Sequence, residues 1–394
     1  MKVLTLNNLY PTIRHPRGGI FIDHRLKAQA RTGAQSTVVD LGYRVMGIRR
    51  GSSRTGALPS SITSAPFDPS ITPTEWRRLR NGKASIRFIQ HYSRKLTREI
   101  ADDFDVIHAH GMYSPPAGAI ARELSQHLSI PYVVSLHGSD VNMRSPAQGE
   151  LLAEVLNGAA SAIFVSAALR NRALMCGANN REELRVLPNG IDPSIFTPAE
   201  SDSLGSRTDG HHGDLDSPAR VLYVGNLIPI KGADRLPQIF KHIAARTGNT
   251  EFVVVGDGTL RREIEHNTAG LKISFLGSVD QRTVARMMAE SSLVVLPSRS
   301  EGWPTVILEA YACGAPVVAS DVGGSSEAVA GFTPTVPDGE DFDRRFAEGC
   351  IEALISGPNP ADLIEHASKY SWDALAAKEL EIFERSLKKD RREA

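Results

Sequence analysis

Short apolar runs of strand type alternate with helical patterns along almost the whole chain, and the alternation occurs twice, once on each side of Pro188-Asn189-Gly190-Ile191-Asp192. Before that point the runs are Val3 to Leu6, Val38 to Leu41, Val45 to Ile48, Asp105 to His110, Pro131 to Leu136, Ala162 to Val165 and Leu184 to Leu187. After it they are Arg220 to Val224, Phe252 to Val255, Ile273 to Leu276, Leu293 to Leu296 and Pro316 to Ala319, with helices starting near Leu260, Gln281, Pro304 and Ser325. Strands that alternate with helices build parallel βαβ units, because a parallel strand returns to its sheet only through a crossover. Two such sets predict an α/β protein of two doubly wound, Rossmann-like domains facing across a cleft, with ligands at the carboxyl ends of the strands. The length of 394 residues agrees, since one hydrophobic core rarely serves so many.

The expected divisions are a first domain over 1–190, a linker with a variable insertion over 191–219, a second domain over 220–369 and a C-terminal segment over 370–394 whose helix runs from Tyr370 to Leu387. Gly51 to Pro73, rich in Gly, Ser and Pro, reads as a long mobile loop. Charge separates the halves: up to Gly190 there are 24 Lys and Arg against 14 Asp and Glu, and beyond it 21 against 31. A basic first half suits an anionic partner, although a plain dipolar surface gives the same counts. Its basic residues concentrate between Arg77 and Arg98, eight with no acidic residue among them, interleaved with Trp76, Leu79, Ile86, Phe88, Ile89, Tyr92 and Leu96. Such a segment is either the solvated face of a helix or a helix that meets an anionic membrane with its aromatics among the headgroups. Nucleic acid is a weaker partner, because no nucleic-acid-binding module accompanies it.

Cys176, Cys313 and Cys350 are odd in number and widely spaced, which fits a reducing compartment and neither a disulfide framework nor a metal site. The N-terminus turns polar too early for a signal peptide, and no apolar run reaches the roughly 18 residues of a spanning helix. The expectation is a cytoplasmic protein, soluble or peripheral on the inner face of the plasma membrane.

One stretch, Ser298 to Cys313, carries the chemistry. Leu293 to Leu296 is a strand, Gly302 permits a close backbone approach, and Pro304 suits a first helical position where its missing N–H costs nothing. Thr305 and Val306 then offer free amides at the positive end of the helix dipole, which favours phosphate. Glu309 lies about five residues into the helix, roughly 7 Å along its axis, and Glu301 stays in the loop. Carboxylates repel phosphate, so two of them flank such a site sensibly only when each accepts from hydroxyls at opposite ends of a larger ligand. A sugar-diphosphate-ribose has that layout. An ordinary amphipathic helix after a surface glutamate has the same local pattern.

Other loops at predicted strand ends converge with this one: Arg17-Gly18-Gly19, His137-Gly138-Ser139-Asp140, Gly225 to Gly232, Gly256-Asp257-Gly258 and Gly277-Ser278-Val279. His108 and His110 end a strand as crevice or core histidines, with no third residue placed to complete a metal site. The ordered set Gly-Asn-Leu with Lys231-Gly232, Gly-Asp-Gly-Thr-Leu-Arg at 256–261, Phe-Leu-Gly at 275–277 and Glu-Gly-x-Pro-x4-Glu-Ala at 301–310 resembles the family 4 glycosyltransferases. With Gly18-Gly19, the His137 loop and Asn189-Gly190-Ile191-Asp192, the resemblance covers nearly the whole chain. The Leu-Tyr-Pro start, the His-Gly-Ser-Asp loop and the Gly-Asn-Leu-Ile-Pro-Ile-Lys-Gly run are similar to the teichuronic-acid type of bacterial envelope polysaccharide glycosyltransferases.

The resemblance implies the GT-B fold and retaining transfer of a sugar from a nucleotide diphosphate donor, commonly a UDP-sugar. The acceptor implied is a glycan or lipid-linked glycan of the cell envelope, met by the 1–190 domain, with the nucleotide sugar held by 220–369 and the C-terminal helix crossing back to the first domain. It implies catalytic roles for His137, Glu301 and Lys231. Donor contacts would come from Gly18, Gly19, Asn226, Lys231, Gly277, Val279, Glu301, Gly302, Trp303, Pro304, Thr305, Val306 and Glu309, and acceptor-side contacts from His110 and Asp140. In detail, Glu309 would hold the ribose, Glu301 the donor sugar and Lys231 the diphosphate, with neither metal nor cofactor required. Asn226 departs from the arginine common at that position, and Arg299 is the candidate replacement. Two other outcomes share the motifs: another GT-B activity, such as a sugar-nucleotide epimerase or a sucrose-synthase-like transferase, and a non-catalytic nucleotide-sugar-binding partner.

Overall fold

The computed structural model describes residues 1–9, 19–46, 48–51, 59–67, 69–80, 84–100, 103–142, 146–179, 181–198 and 218–393. The chain divides into two compact units, Met1–Gly190 together with Trp372–Ala394, and Ile191–Ser371.

The first unit is built on strands β1 (Lys2–Asn7), β2 (Gln35–Val45), β3 (Ile48–Gly51), β4 (Ile62–Phe67), β5 (Ser70–Ile71), β6 (Val106–His110), β7 (Tyr132–Leu136), β8 (Ser161–Phe164) and β9 (Leu184–Val186). Its sheet runs β3-β2-β1-β6-β7-β8-β9, with β4 and β5 also paired to β2, and β2–β3 is its antiparallel pair. β6, β7 and β8 are buried residue after residue, as befits parallel strands covered on both faces. The sheet is completed from the far end of the sequence: helix Trp372–Glu393 contributes Leu375 and Phe383 to the core formed by Val3, Val106, Val133 and Ile163.

Two expectations change here. The supposed loop between Gly51 and Pro73 contains β4, which lies parallel to β2 from Ser36↔Ile62 to Leu41↔Phe67. Its large apolar residues, Ile62 and Phe67, stand at its ends with Thr, Ser, Ala and Pro between them, so no apolar run marks it. The basic stretch is two helices, Pro73–Arg80 and Ile86–Glu99, the second capped by Ser85, whose Oγ accepts from the Phe88 amide at 3.1 Å. Phe88, Ile89, Tyr92 and Leu96 face inward, and the Tyr92 hydroxyl donates to the Gly42 carbonyl at 2.8 Å and accepts from the Gly42 amide at 3.1 Å. These aromatics bind helix to sheet and are not free to enter a headgroup layer. Arg77, Arg78, Arg87, Arg94 and Arg98 remain exposed.

The second unit carries β10 (Ala219–Val224), β11 (Thr250–Val255), β12 (Ile273–Gly277), β13 (Leu293–Leu296), β14 (Val317–Ser320) and β15 (Thr335–Val336) in the all-parallel order β12-β11-β10-β13-β14-β15. That is the dinucleotide-binding order, reversing between β10 and β13, and the crevice outside the carboxyl ends of those two strands is where such sheets take ligands. Tyr223, Phe240, Phe252, Leu293 and Phe346 form its core. Ile191 belongs to this unit and not to a free linker: it bridges Ser371, and its amide donates to the Tyr370 carbonyl at 2.9 Å. Residues 199–217, the expected insertion, lie outside the described residues. Among the described residues no helix is long and apolar enough to cross a membrane.

Candidate functional site

In the second unit the loops that follow β10, β11, β13 and β14 lie backbone against backbone. Gly232 holds φ +65°, and a Cβ there would stand 1.9 Å from the Pro297 carbonyl oxygen; at Gly323 (φ +55°) it would stand 1.8 Å from that of Glu301. Only glycine tolerates both demands. The loops are also tied by amides, Arg299 to the Ile230 carbonyl at 3.0 Å, Leu227 to that of Asp257 at 2.9 Å and Gly256 to that of Gly277 at 2.8 Å.

This convergence brings Lys231 to Glu301. The ammonium donates to both carboxylate oxygens at 2.8 and 2.9 Å, and the fully buried Ser298 hydroxyl donates to Oε1 at 2.7 Å. Glu301 is 8% exposed, whereas the Lys231 side chain is 32% exposed, so the pair presents its cation to solvent. Helix Thr305–Ala312 starts directly after, with Pro304 one position earlier than expected, as an extended cap (φ −79°, ψ 92°) that supplies no side-chain hydrogen bond to the helix start. The orphan amides and dipole of that start make an anion site. One turn on, Glu309 is half-buried; burial pushes its carboxyl up to about 7, against the opposing hydrogen bond from the Thr305 side chain. Trp303 is 9% exposed, and its indole Nε1 has no partner among the described residues.

Asn226 is exposed on the loop after β10, Gly302, Thr305 and Val306 are half-buried at the helix start, and Gly277 (φ +67°) and Val279 belong to the loop after β12. Arg299 is not the replacement for the arginine absent at 226. Its guanidinium is committed to Asp234 through two hydrogen bonds of 2.6 and 2.7 Å and to the Pro229 carbonyl at 2.8 Å. Sequence reasoning gave Ser298 no role, although its position three residues before Glu301 was the available signal.

In the first unit the same end of the sheet carries the histidines. His108 and His110 are fully buried at the end of β6, and His137 is half-buried just beyond β7. His108 Nε2 lies 2.8 Å from Ser135 Oγ, and His110 Nδ1 lies 3.3 Å from His137 Nε2 with the two rings stacked at 17°. Burial lowers all three: His108 to about 4 despite the Glu379 carboxylate, and His110 and His137 well below the usual imidazole range with Arg25 adding to the effect. Each is neutral near pH 7. Beneath them a fully sealed pair was invisible in the sequence: Arg25 donates to Glu379 at 2.6 Å and to Asn189 at 3.3 Å, and Gln29 donates to the other Glu379 oxygen at 2.5 Å.

Two expected acceptor contacts are corrected. Asp140 is 1% exposed, and its carboxylate accepts from the His137 and Gly138 amides at 2.8 to 3.2 Å, so it shapes the loop from within. His110 is sealed beneath His137 and has no surface to offer an acceptor. Gly19 caps the first helix in the left-handed conformation with no side-chain bond, while Gly18 lies outside the described residues.

Two Rossmann-like units, one with a cation–carboxylate pair at an uncapped helix start and one with a histidine loop, define the GT-B fold. Residues 22–195 match the family model described as Glycosyltransferase Family 4, and residues 218–355 match that described as Glycosyl transferases group 1. The chain belongs to glycosyltransferase family 4. It is 28% identical over 343 residues to TuaC of Bacillus subtilis (strain 168), whose name assigns it to teichuronic acid biosynthesis as a glycosyltransferase, covering 83% of this chain and 82% of that one. An uncharacterized glycosyltransferase of Methanocaldococcus jannaschii is 30% identical over 234 residues, a match spanning 58% of this chain and 59% of the relative. Among solved structures, HepE of Anabaena in complex with UDP superposes with a TM-score of 0.68 at 20% identity, covering 97% of this chain and 99% of that one.

Proposed function

We propose that the protein transfers a sugar, with retention of configuration, from a nucleotide diphosphate donor to a hydroxyl of a growing, lipid-linked cell-envelope glycan. One observation carries this reading: Lys231, Glu301 and Ser298 are assembled at an uncapped helix start, with Glu309 one turn further on. The helix amides and Lys231 hold the diphosphate, Glu301 a hydroxyl of the sugar, and Glu309 the ribose. As the bond from the anomeric carbon to the diphosphate oxygen breaks, negative charge grows on that oxygen, where the fixed donors stabilise it without a metal ion. The acceptor hydroxyl forms the new bond from the same face and passes its proton to the departing diphosphate oxygen, with no covalent intermediate. His137 acts on the sugar of the donor. The UDP complex of HepE supports a UDP-sugar donor, and the teichuronic acid role in the name of TuaC supports an envelope glycan.

Access to a lipid-linked acceptor is provided at the cytoplasmic face of the membrane by the exposed arginines of the two basic helices, attraction to anionic lipid amounting to about 1 kcal/mol for each residue near the surface. Titration of nucleoside diphosphates, followed by turnover assays with and without lipid-linked acceptor and with chelator, tests the whole reading. UDP binding and chelator-resistant transfer are expected. Donor isomerisation without acceptor, or binding with no turnover on any acceptor, overturns it in favour of an epimerase or a silent binding protein. Vesicle flotation tests the membrane arm: binding to anionic lipid that high salt reverses supports it, and equal binding to neutral vesicles sinks it.

A further inference from the structure

We propose that Ser298 is a positioning residue: its hydroxyl saturates Oε1 of Glu301, so that Glu301 takes the donor sugar by a single hydroxyl, at Oε2. The inference rests on the reading that Glu301 meets the sugar, and it says how many hydroxyls the carboxylate can hold. A carboxylate offers about four acceptor positions, two on each oxygen. The Lys231 ammonium donates to Oε1 at 2.8 Å and to Oε2 at 2.9 Å, and the Ser298 hydroxyl donates to Oε1 at 2.7 Å. The direction of this last bond is fixed, because a carboxylate bonded to an ammonium only accepts. Among the described residues Oε1 is therefore full, and one position remains, on Oε2. With both oxygens open, a carboxylate can clasp two neighbouring hydroxyls, one on each; Glu301 as held here cannot. Lys231 alone would not make this distinction, since it bonds the two oxygens almost equally. Ser298 supplies the asymmetry.

The local structure keeps Ser298 in place. It is fully buried, two residues beyond β13, and the backbone is pinned on either side of it: the Arg299 amide donates to the Ile230 carbonyl at 3.0 Å, and the Arg235 guanidinium to the Pro297 carbonyl at 3.1 Å. Gly232, next to Lys231, packs so closely that a Cβ there would stand 3.3 Å from the Ser298 amide nitrogen. Both donors to Glu301 thus come from two loops locked together, and the plane of the carboxylate follows from them. The same count gives Lys231 its share of the ligand. Two of its three N–H groups serve Glu301, and the third is left for a phosphate oxygen.

The test is calorimetry on the full chain. The probes are UDP, whichever of UDP-glucose, UDP-galactose and UDP-N-acetylglucosamine binds best, and the analogues of that donor that each lack one hydroxyl. Hydroxyls held by Glu301 are those whose removal weakens binding in the unsubstituted protein but not in Glu301→Ala. One such hydroxyl is expected, its loss weakening binding about 10- to 100-fold, the range for a hydrogen bond to a charged group. In Ser298→Ala that penalty is expected to fall below about threefold as the carboxylate loses its orientation, with the affinity for UDP itself changed less than about twofold. Two hydroxyls traced to Glu301 in the unsubstituted protein overturn the proposal, whatever becomes of the serine variant. So does a Ser298→Ala variant that keeps the full penalty, or one that weakens UDP and every analogue by the same factor, which leaves Ser298 as packing. A sugar that adds nothing to the affinity for UDP overturns the reading of Glu301 itself, and the two failures are thereby told apart.

Discussion

Two ion pairs in this molecule are each built on a glutamate and differ in their exposure. Arg25–Glu379 is sealed, its side chains 3% and 1% exposed, and Gln29 and Asn189 take up further hydrogen-bonding capacity. Lys231–Glu301 is open on one side, with its cation about a third exposed beside uncapped amides. A buried pair whose two carboxylate oxygens are both engaged fixes geometry, whereas a pair with a partly solvated cation is ready to meet a ligand. The contrast distinguishes scaffold from site without reference to any motif.

The sharpest way to break it is Glu379→Ala. Leaving Arg25 buried without its carboxylate should cost about 3–5 kcal/mol of stability, read from denaturant unfolding of the full chain. A loss under 1 kcal/mol would show the sealed pair to be dispensable. Glu301→Gln should reverse the pattern, lowering turnover about 100-fold or more while the melting temperature moves little, because the amide keeps the shape and loses the charge proposed to meet the sugar. Lys231→Ala should weaken nucleoside diphosphate binding roughly 10- to 100-fold by calorimetry, with stability changed by about 1 kcal/mol as water enters the vacated, partly solvated space.

A subtler effect belongs to Glu309, whose folded carboxyl lies near 7 against an ordinary 4.5. The folded state therefore holds that proton more tightly than the unfolded chain, so this group's contribution to stability is greatest below about pH 4.5 and is lost as pH rises through about 7. Nucleotide affinity should run the other way, rising several-fold between pH 6 and 8 as the carboxylate becomes available to ribose hydroxyls, and Glu309→Gln should flatten both profiles. The smallest change is expected of Arg299→Ala, under about twofold in diphosphate affinity, since its guanidinium already serves Asp234.

What the sequence revealed follows from range. β13, the glycine loop and the helix of Thr305 are written in consecutive residues, and there the expected and observed elements differ by a single position at Pro304. The periodicity of the basic stretch was equally legible, but a pattern of inward residues does not say what lies inward, and Phe88 and Tyr92 found the sheet. Arg299 and Glu379 were opaque for another reason: their partners, Asp234 and Arg25, stand 65 and 354 residues away, and a charged side chain carries no mark of what it will meet. The histidine pair lies between, because β6 and β7 are separate runs whose register brings His110 beside Ser135, two residues from His137.

The first unit combines Met1–Gly190 with Trp372–Ala394, and that separation sets an order of assembly during synthesis. Arg25 leaves the ribosome 354 residues ahead of Glu379, a wait of roughly 20 to 70 s at the usual pace of about 5–20 residues per second. By the end of that interval every described strand of the second unit has been made, while Val3, Val106 and Val133 still lack Leu375 and Phe383. The unit whose strands begin first is thus completed after the strands of the other, and until helix Trp372–Glu393 emerges its core lacks the cover of Leu375 and Phe383.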